Sequence, residues 1–507
     1  MSSRGRRCVA LLGVAVLLAV AGCSSPKPKG HNGGTLFVLQ PADFPHLDPG
    51  KATTAAEADV GRLLYRTLTS YAYSSKGGVH LVPDLATTTG TPTEGGSIWT
   101  FRLRPGMTYQ DGTVITSQDV KHGVERSSAA GPIRSRLVAI DTPDSTTLAF
   151  RFSSPFVDFP YAAALPATAP VPLTVGDAAE YDTRIVSSGP YKIETYERDV
   201  SLTLVRNAEW NATSDPARKA FPDKVVTSFG LDPATIGERL ISDQGQDQQA
   251  VSLSPVVAQN VEDLPKGARK RSHEGFDNGV SFLAFSTTNP VLADVRVRQA
   301  LEWAYPHVDA RSAEGGATAA DIATGVIPPG LAGFAEQDLY KTPDQKGDPA
   351  ATRQLLAEAG VHDLALTYAA PTTPAGLATA AAVVSAYRLA GVTVTVDLDH
   401  EGPVTADLRP VVAQPPWPAA SGYLPALFPC GSCDATLQGL LEQALTETDR
   451  DKADMLYQSL DRAILQQALV IPLSFTKRLS VHGSKVRNTT PSVGFDGLVD
   501  LANLSVR

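Results

Sequence analysis

The sequence predicts a mixed α/β protein, strand-rich in its first half and alternating between strand and helix in its second. Early segments alternate apolar and polar residues, as in Ser97-Ile-Trp-Thr-Phe-Arg-Leu103 and Thr146-Thr-Leu-Ala-Phe-Arg-Phe152. A period of two marks a half-buried strand. Later, a strand at 364–368, a helix over about 375–390 closed by Gly391, and a strand at 392–396 form a βαβ-type unit. Beyond the N-terminus no stretch reaches 18 apolar residues: Leu377 to Val396 comes nearest and is interrupted by Arg388 and Gly391.

The remaining elements follow in chain order. Residues 35–39 are β-rich. Arg104-Pro105-Gly106 and Asp111-Gly112 turn the chain, and Thr116 caps a helix beginning at Ser117. Gly189-Pro190 opens a strand over 191–196, which pairs antiparallel with the alternating segment 201–206. Residues 280–285 read as a buried strand and 295–304 as a helix. Asp348-Pro349 places an N-cap before a proline at the first helical position, and Gly360 closes that helix. Residues 434–445 are helix-like and 468–473 strand-like. Pro328-Pro329 and Pro415-Pro416-Trp417-Pro418 punctuate the second half. No internal repeat of fixed period occurs.

The first 23 residues are organised differently. Arg4, Arg6 and Arg7 precede an apolar run of 15 residues, Cys8 to Gly22, that ends in Val20-Ala21-Gly22-Cys23. A run this short with this flank reads as a secretory signal, residues 1–22, rather than a spanning helix. Cysteine at the cut site resembles a bacterial lipobox, which implies that Cys23 is acylated. Two or more acyl chains anchor stably, at roughly 0.8 kcal/mol per buried CH₂. Residues 23–30 are polar and proline-broken, as a tether would be.

Removing residues 1–22 from the 507 leaves 485, with 41 basic and 53 acidic residues and a net charge of −12. That balance argues against a nucleic-acid partner. It leaves the lipid tether as the contact with an anionic membrane surface. Cys430 and Cys433 are the remaining cysteines. In an exported chain such a pair reads first as a disulfide, ahead of a redox motif or a two-ligand metal site. The sequence lacks a Walker A loop, a Rossmann glycine fingerprint, His-Glu-x-x-His and Gly-x-Ser-x-Gly, and its nine histidines have no ligand spacing. Neither a cofactor nor a metal is expected. Ser474-Phe-Thr-Lys477 matches Ser-x-x-Lys, but it continues a strand-like run, where residues three apart face opposite ways. No nucleophile with its base is visible, so the chain is not read as an enzyme.

One segment carries a specific resemblance. Phe101-Arg-Leu-Arg-Pro-Gly106, followed by Asp111-Gly112, Thr116 and Asp119-Val120, keeps every fixed position of Phe-x-Leu-Arg-x-Gly-x-x-x-x-Asp-Gly-x-x-x-Thr-x-x-Asp-Val. Leu47-Asp48-Pro49, Ser188-Gly189-Pro190-Tyr191, Leu202 to Asn207, Val295 to Leu301, Leu355 to Gly360 and Val470-Ile-Pro-Leu473 agree in the same order. The chain therefore resembles the extracytoplasmic solute-binding proteins of oligopeptide, dipeptide and nickel ABC importers (family 5, cluster C). The resemblance implies a two-lobed, periplasmic-binding-protein-like (type II) α/β fold with an extra subdomain in the first lobe. The first lobe would contain residues 31–275, with the extra subdomain at 47–185. The second lobe would contain 276–475, and 476–507 would return to the first. The implied protein is a monomer on the outer face of the cytoplasmic membrane. It would capture a small solute, by default a peptide, and deliver it to the permease. A sugar or chelated metal is the alternative ligand, and an exported hydrolase or a solute-reporting receptor the alternative role.

Position in the family layout nominates Phe44, His46, Tyr109, Ser187, Ser188, Trp417, Ser421 and Tyr423 as ligand contacts. The late loop departs from the family in one respect. Peptide carriers commonly place an Asp about three residues after the loop tryptophan to hold the peptide α-amino group. Here Trp417 is followed by small residues at 419–422, and no acid occurs between Arg409 and Cys430. A buried ammonium needs a partner. Either the ligand lacks a free amine, which is the favoured reading, or Asp434, Asp43 or Glu57 takes the role.

The N-terminal reading makes one prediction. Cys23→Ala should release the exported protein from the membrane fraction in a detergent-free wash. Retention of the variant in the membrane would rule out the lipid anchor.

Overall fold

A computed structural model describes residues 28–75, 78–175, 181–256, 261–337, 339–398, 405–427 and 434–507. Cys23 with the signal segment, and the Cys430–Cys433 pair, lie outside the described residues.

The β-rich segment Thr35–Leu39 enters a five-stranded sheet in the order Ala250–Ser252, Thr35–Leu39, Lys224–Ser228, Ser201–Arg206, Tyr191–Glu197. Thr35–Leu39 runs parallel to both of its neighbours, and the other pairings are antiparallel. The expected hairpin is present, with Tyr191 opposite Arg206. Its entry explains Gly189. A Cβ there would lie 2.7 Å from the Leu63 carbonyl oxygen and 2.8 Å from the Tyr65 nitrogen, both fixed backbone atoms.

Between Thr35–Leu39 and Tyr191–Glu197 the chain inserts an antiparallel four-stranded sheet in the order Thr91–Thr93, Ile98–Arg102, Thr147–Phe152, Leu137–Asp144. The two alternating segments read from sequence lie side by side, with Trp99 opposite Phe150. Phe101, Phe150 and Phe152 on these strands pack with Phe159 of the short helix Phe159–Ala162 in one aromatic group. The helix Ser117–Arg126 starts where Thr116 and Asp119 form a capping box.

The second half forms a six-stranded sheet in the order Ala320–Ile322, Val470–Val481, Ser272–Phe285, Leu408–Ala413, Ala365–Ala370, Thr393–Leu398. The predicted βαβ unit is its outer part: Ala365–Ala370 and Thr393–Leu398 are parallel and joined by the helix Pro374–Leu389. The molecule is a two-lobed α/β protein built on these two large sheets.

Two strands of 14 and 12 residues, Ser272–Phe285 and Val470–Val481, join the lobes as an antiparallel pair from Ser272 opposite Val481 to Ala284 opposite Val470. One end, at Leu479 and Val481, packs with Leu39, Leu240 and Ala250 of the first sheet's core. The other, at Val280, Phe282 and Phe475, packs with Ile327, Tyr457 and Leu460. The strand expected at 280–285 therefore begins eight residues earlier, at Ser272. Asp277-Asn278-Gly279 concealed it, because polar residues and a glycine broke the apolar pattern. Here they form an irregularity in register between Phe276 and Val280. The Asp277 carboxylate steadies it by accepting from the Gly279 amide at 2.9 Å and from the Thr476 hydroxyl. The C-terminal segment returns against these strands, where a Cβ at Gly275 would meet Pro491 Cβ at 2.4 Å. Ser474 and Lys477 both lie on Val470–Val481, and Lys477 is held by Glu274 and Asp321, each at 2.8 Å.

Beneath the helix Ala55–Leu64, a buried cluster joins distant segments. Arg66 binds Asp84 at 2.6 Å, and Arg218 binds Asp84 at 2.8 Å and Asp215 at 3.2 Å. Burial pushes the Asp215 carboxyl up, but the charges of Arg218 and Arg66 outweigh burial and bring it below the ordinary range. The Arg218 side chain is 1% exposed. Removing it leaves carboxylates out of water with half their compensation. Arg218→Met should therefore lower unfolding free energy by about 3 kcal/mol. Urea unfolding measures this, and an unchanged midpoint would show that the cluster carries no such weight.

Candidate functional site

A cleft of about 520 Å³ lies against the joining strands, within the size range of small-molecule sites. One wall is the start of the helix Ala55–Leu64 with the residues before it. Thr54 and Glu57 define that start through a capping box: the Glu57 carboxylate accepts from the Thr53 amide at 2.9 Å and the Thr54 amide at 2.8 Å, and Thr54 Oγ1 accepts from the Glu57 amide at 3.2 Å. The opposite wall is the late loop, Gln414 to Pro418, including Trp417. Asn278 and Arg478 enter from the two joining strands, and Asp496 from the C-terminal return.

The first wall is braced from behind. Arg62 reaches Asp500 through Nε at 3.1 Å, the Ser70 hydroxyl at 2.7 Å and the Tyr71 carbonyl at 3.1 Å. Phe495 stacks beneath its guanidinium, 4.5 Å from the ring centre. Arg218, also on the lining, is held by Asp84 and Asp215. On the strands, Arg478 Nη2 donates to Asp496 at 2.8 Å, and the Asn278 amide donates to Asp496 at 3.3 Å. Asn278 Nδ2 reaches the Pro415 carbonyl at 3.4 Å and so ties the late loop to the strand.

Of the eight residues nominated from sequence, Trp417 lines this cleft. Its ring packs 5.2 Å from Phe156, and both belong to the first lobe's core cluster. The side chains of the other seven are engaged elsewhere. Phe44 is buried edge-on against Phe229, with ring centres 5.5 Å apart. His46 Nδ1 lies 2.9 Å from Asp182, beside Lys51. Tyr109 is fully buried in the inserted subdomain's core. Ser187 Oγ bonds the Leu64 and Tyr191 carbonyls. Ser188 Oγ accepts from the Arg66 amide at 3.1 Å. Ser421 donates to Asp158, and Tyr423 donates to the Val326 carbonyl. Six of these seven residues are buried in protein, whereas the His46 side chain is 40% exposed beside Asp182.

The three acids considered as replacements for the missing loop Asp are also committed. Asp43 accepts from Tyr196 at 2.9 Å, Glu57 completes the helix cap, and Asp434 caps the helix Ala435–Thr446 through the Leu437 amide at 2.8 Å. None of them lines the cleft. The acid that does meet the late loop is Asp158, 1% exposed, which binds Ser421 and the Arg450 guanidinium. Arg450 also lies 4.4 Å over the Tyr161 ring. Sequence reading missed Asp158, Asn278 and Arg478. Asp158 carried a signal, since it precedes the Pro160-containing turn Phe159–Ala162 in N-cap position, yet its side chain makes no cap bond. Among the described residues, no group of three or more His, Cys, Asp or Glu converges to hold a metal ion. No described helix is long and apolar enough to cross a membrane.

Comparison with known proteins gives consistent matches. The family described as bacterial extracellular solute-binding proteins, family 5 Middle, matches residues 80–408. The probable D,D-dipeptide-binding periplasmic protein DdpA of Escherichia coli (strain K12) is 26% identical over 280 residues, 53% of this chain and 52% of that protein. The glutathione-binding protein GsiB of Shigella flexneri is 24% identical over 329 residues, 63% of this chain and 60% of that protein. The chain thus spans between half and two thirds of the length of these curated relatives. Among solved structures, a clavulanic acid biosynthesis oligopeptide binding protein 2 superposes with a TM-score of 0.81 at 29% identity, over 95% of this chain and 96% of that one.

The Asp158–Arg450 contact crosses between the inserted subdomain and the second lobe, so separating the lobes must break it. Asp158→Asn should widen the ligand-free protein in small-angle scattering. It should lower stability by about 1–2 kcal/mol, a modest figure because the Arg450 side chain is 34% exposed. An unchanged radius of gyration would show that the pair does not hold the lobes together.

Proposed function

The chain belongs to the bacterial extracellular solute-binding proteins, family 5, and from that premise we propose that it is the solute-capturing component of an ABC importer, with a peptide-class ligand. The observation that carries the reading is the position of the cleft. Its walls come from the two lobes, and its floor includes Asn278 and Arg478 on the strands that join them. A solute touching both walls favours the closed arrangement by its differential contacts, and the closed shape is what a permease can distinguish. The names of the relatives support the ligand class: a dipeptide binder, a glutathione binder and an oligopeptide binder.

In this reading residues 31–275, with the subdomain 47–185, and 276–475 move as the two lobes, and 476–507 returns to the first. The proposed boundaries fall within the joining strands, where Gly275 faces Arg478 and Phe276 faces Lys477. Trp417 is the nominated contact carried forward, because it lines the cleft. The protein acts by binding and release rather than by catalysis. It works as a monomer held at the outer face of the cytoplasmic membrane by acylated Cys23, next to its permease.

Calorimetry with a pool of di- to pentapeptides tests the ligand class. Binding of pool members, weakened at least tenfold by Trp417→Ala, is the expected result. Failure of every peptide to bind, with the protein folded, would overturn the peptide assignment.

A further inference from the structure

Among the described residues, the charged ones lining the cleft are Arg62, Arg218, Arg478 and Asp496. Two of the three cations are spent within the wall. The Arg62 side chain is 10% exposed and paired with Asp500, and the Arg218 side chain is 1% exposed and paired with Asp84 and Asp215. Arg478 differs. Its side chain is 30% exposed, only Nη2 is engaged with Asp496, and its Nε–H is buried without a partner. Trp417 is 3% exposed, and its Nε1–H is likewise unpartnered. Two buried donors on one cleft thus lack acceptors, and a buried donor left unpaired is costly.

The acceptor side of the same cleft is closed. Asp496 already receives Arg478 and the Asn278 amide. Asp158, the acid beside the late loop, is committed to Ser421 and Arg450. Asp277, next to Asn278, accepts from Thr476 and Gly279 and does not line the cleft. Among the described residues, an incoming ammonium would find no carboxylate on the cleft lining without a protein partner. A carboxylate would find a guanidinium with donors to spare, the geometry that binds carboxylates most strongly.

We propose that the cleft selects solutes presenting a carboxylate, received by Arg478 on the joining strand, and that a free ammonium is not required. This rests on the peptide-class reading above and names which end of such a solute is recognised. Arg478 lies opposite Gly275, beside the irregularity at Asp277–Gly279. The anion is therefore read at the point where the lobes meet.

Calorimetry on the mature, full-length protein tests the proposal with five ligands. These are a tripeptide with both termini free, its N-acetylated form with a free C-terminal carboxylate, the C-terminal amide of that form, an N-acetylated tripeptide amide containing Glu, and succinate. The acid should bind and its amide should bind at least tenfold more weakly. Recovery of affinity by the Glu peptide would identify a side-chain carboxylate as an equal source. Arg478→Gln should abolish the acid–amide difference. Asp496→Asn, which frees Arg478 from its internal partner, should keep or enlarge it, and this variant decides the matter if Arg478→Gln does not fold. Equal binding of acid and amide, or loss of binding on N-acetylation, would overturn the proposal and leave the peptide reading standing. Binding of succinate but of no peptide, dependent on Arg478, would support carboxylate selection and sink the peptide reading. Absence of binding by all of these would overturn both.

Discussion

The antiparallel pairing of Ser272–Phe285 with Val470–Val481 is the interaction on which the rest of the architecture depends. Each lobe's core closes on one end of this pair: Leu479 and Val481 fill the first, and Phe282 and Phe475 the second. A ladder that serves two cores can bend only where its pairing is interrupted. The first interruption lies between Phe276 and Val280, where polar residues occupy it, and a second lies between Ser281 and Phe282. Asp277 replaces lost ladder bonds by accepting from Gly279 and Thr476, so the irregularity is satisfied rather than frayed. The returning chain at Pro491 and Gly497 packs against the same place, where only glycine at 275 leaves room. The site follows from this geometry, because a cleft between two lobes must have the joining strands as its floor.

A second constraint is how charge is handled around the cleft. Arg62, Arg66 and Arg218 are buried cations; Asp500 reaches Arg62 and Asp84 reaches Arg218 from distant parts of the chain, while Asp215 lies three residues before Arg218. Such a cluster adds little net stability compared with an apolar core, but it tolerates few rearrangements. Its effect is positional. It fixes the helix Ala55–Leu64 against the C-terminal return, so that the helix start faces the cleft. The helix cap then uses Glu57 internally, which keeps that acid out of the site.

The late loop shows how an absent residue is compensated by architecture. Small residues after Trp417 leave space that Asp158 fills from the other side, and Arg450 supplies its counter-charge. The carboxylate beside the loop is thus neutralised by the protein itself.

Local elements were legible in the sequence because they depend on neighbours in the chain. The alternation around Trp99 and Phe150, the Thr116 cap, the helix starting after Asp348 and the βαβ unit around 365–398 all lie where periodicity and capping residues placed them. The motif between Phe101 and Val120 identified the family, since it encodes a strand, two turns and a helix start. Side-chain direction at the site was not legible. Tyr109 and Trp417 are both buried aromatics, and only the second lies on the cleft lining. Asn278 and Arg478 read as breaks or charges in strand sequence, and their role depends on two strands meeting across about two hundred residues of chain. Asp158 and Ser421 are 263 residues apart. Burial of one face is written in the local pattern, but which surface covers that face is decided only when distant segments close on one another.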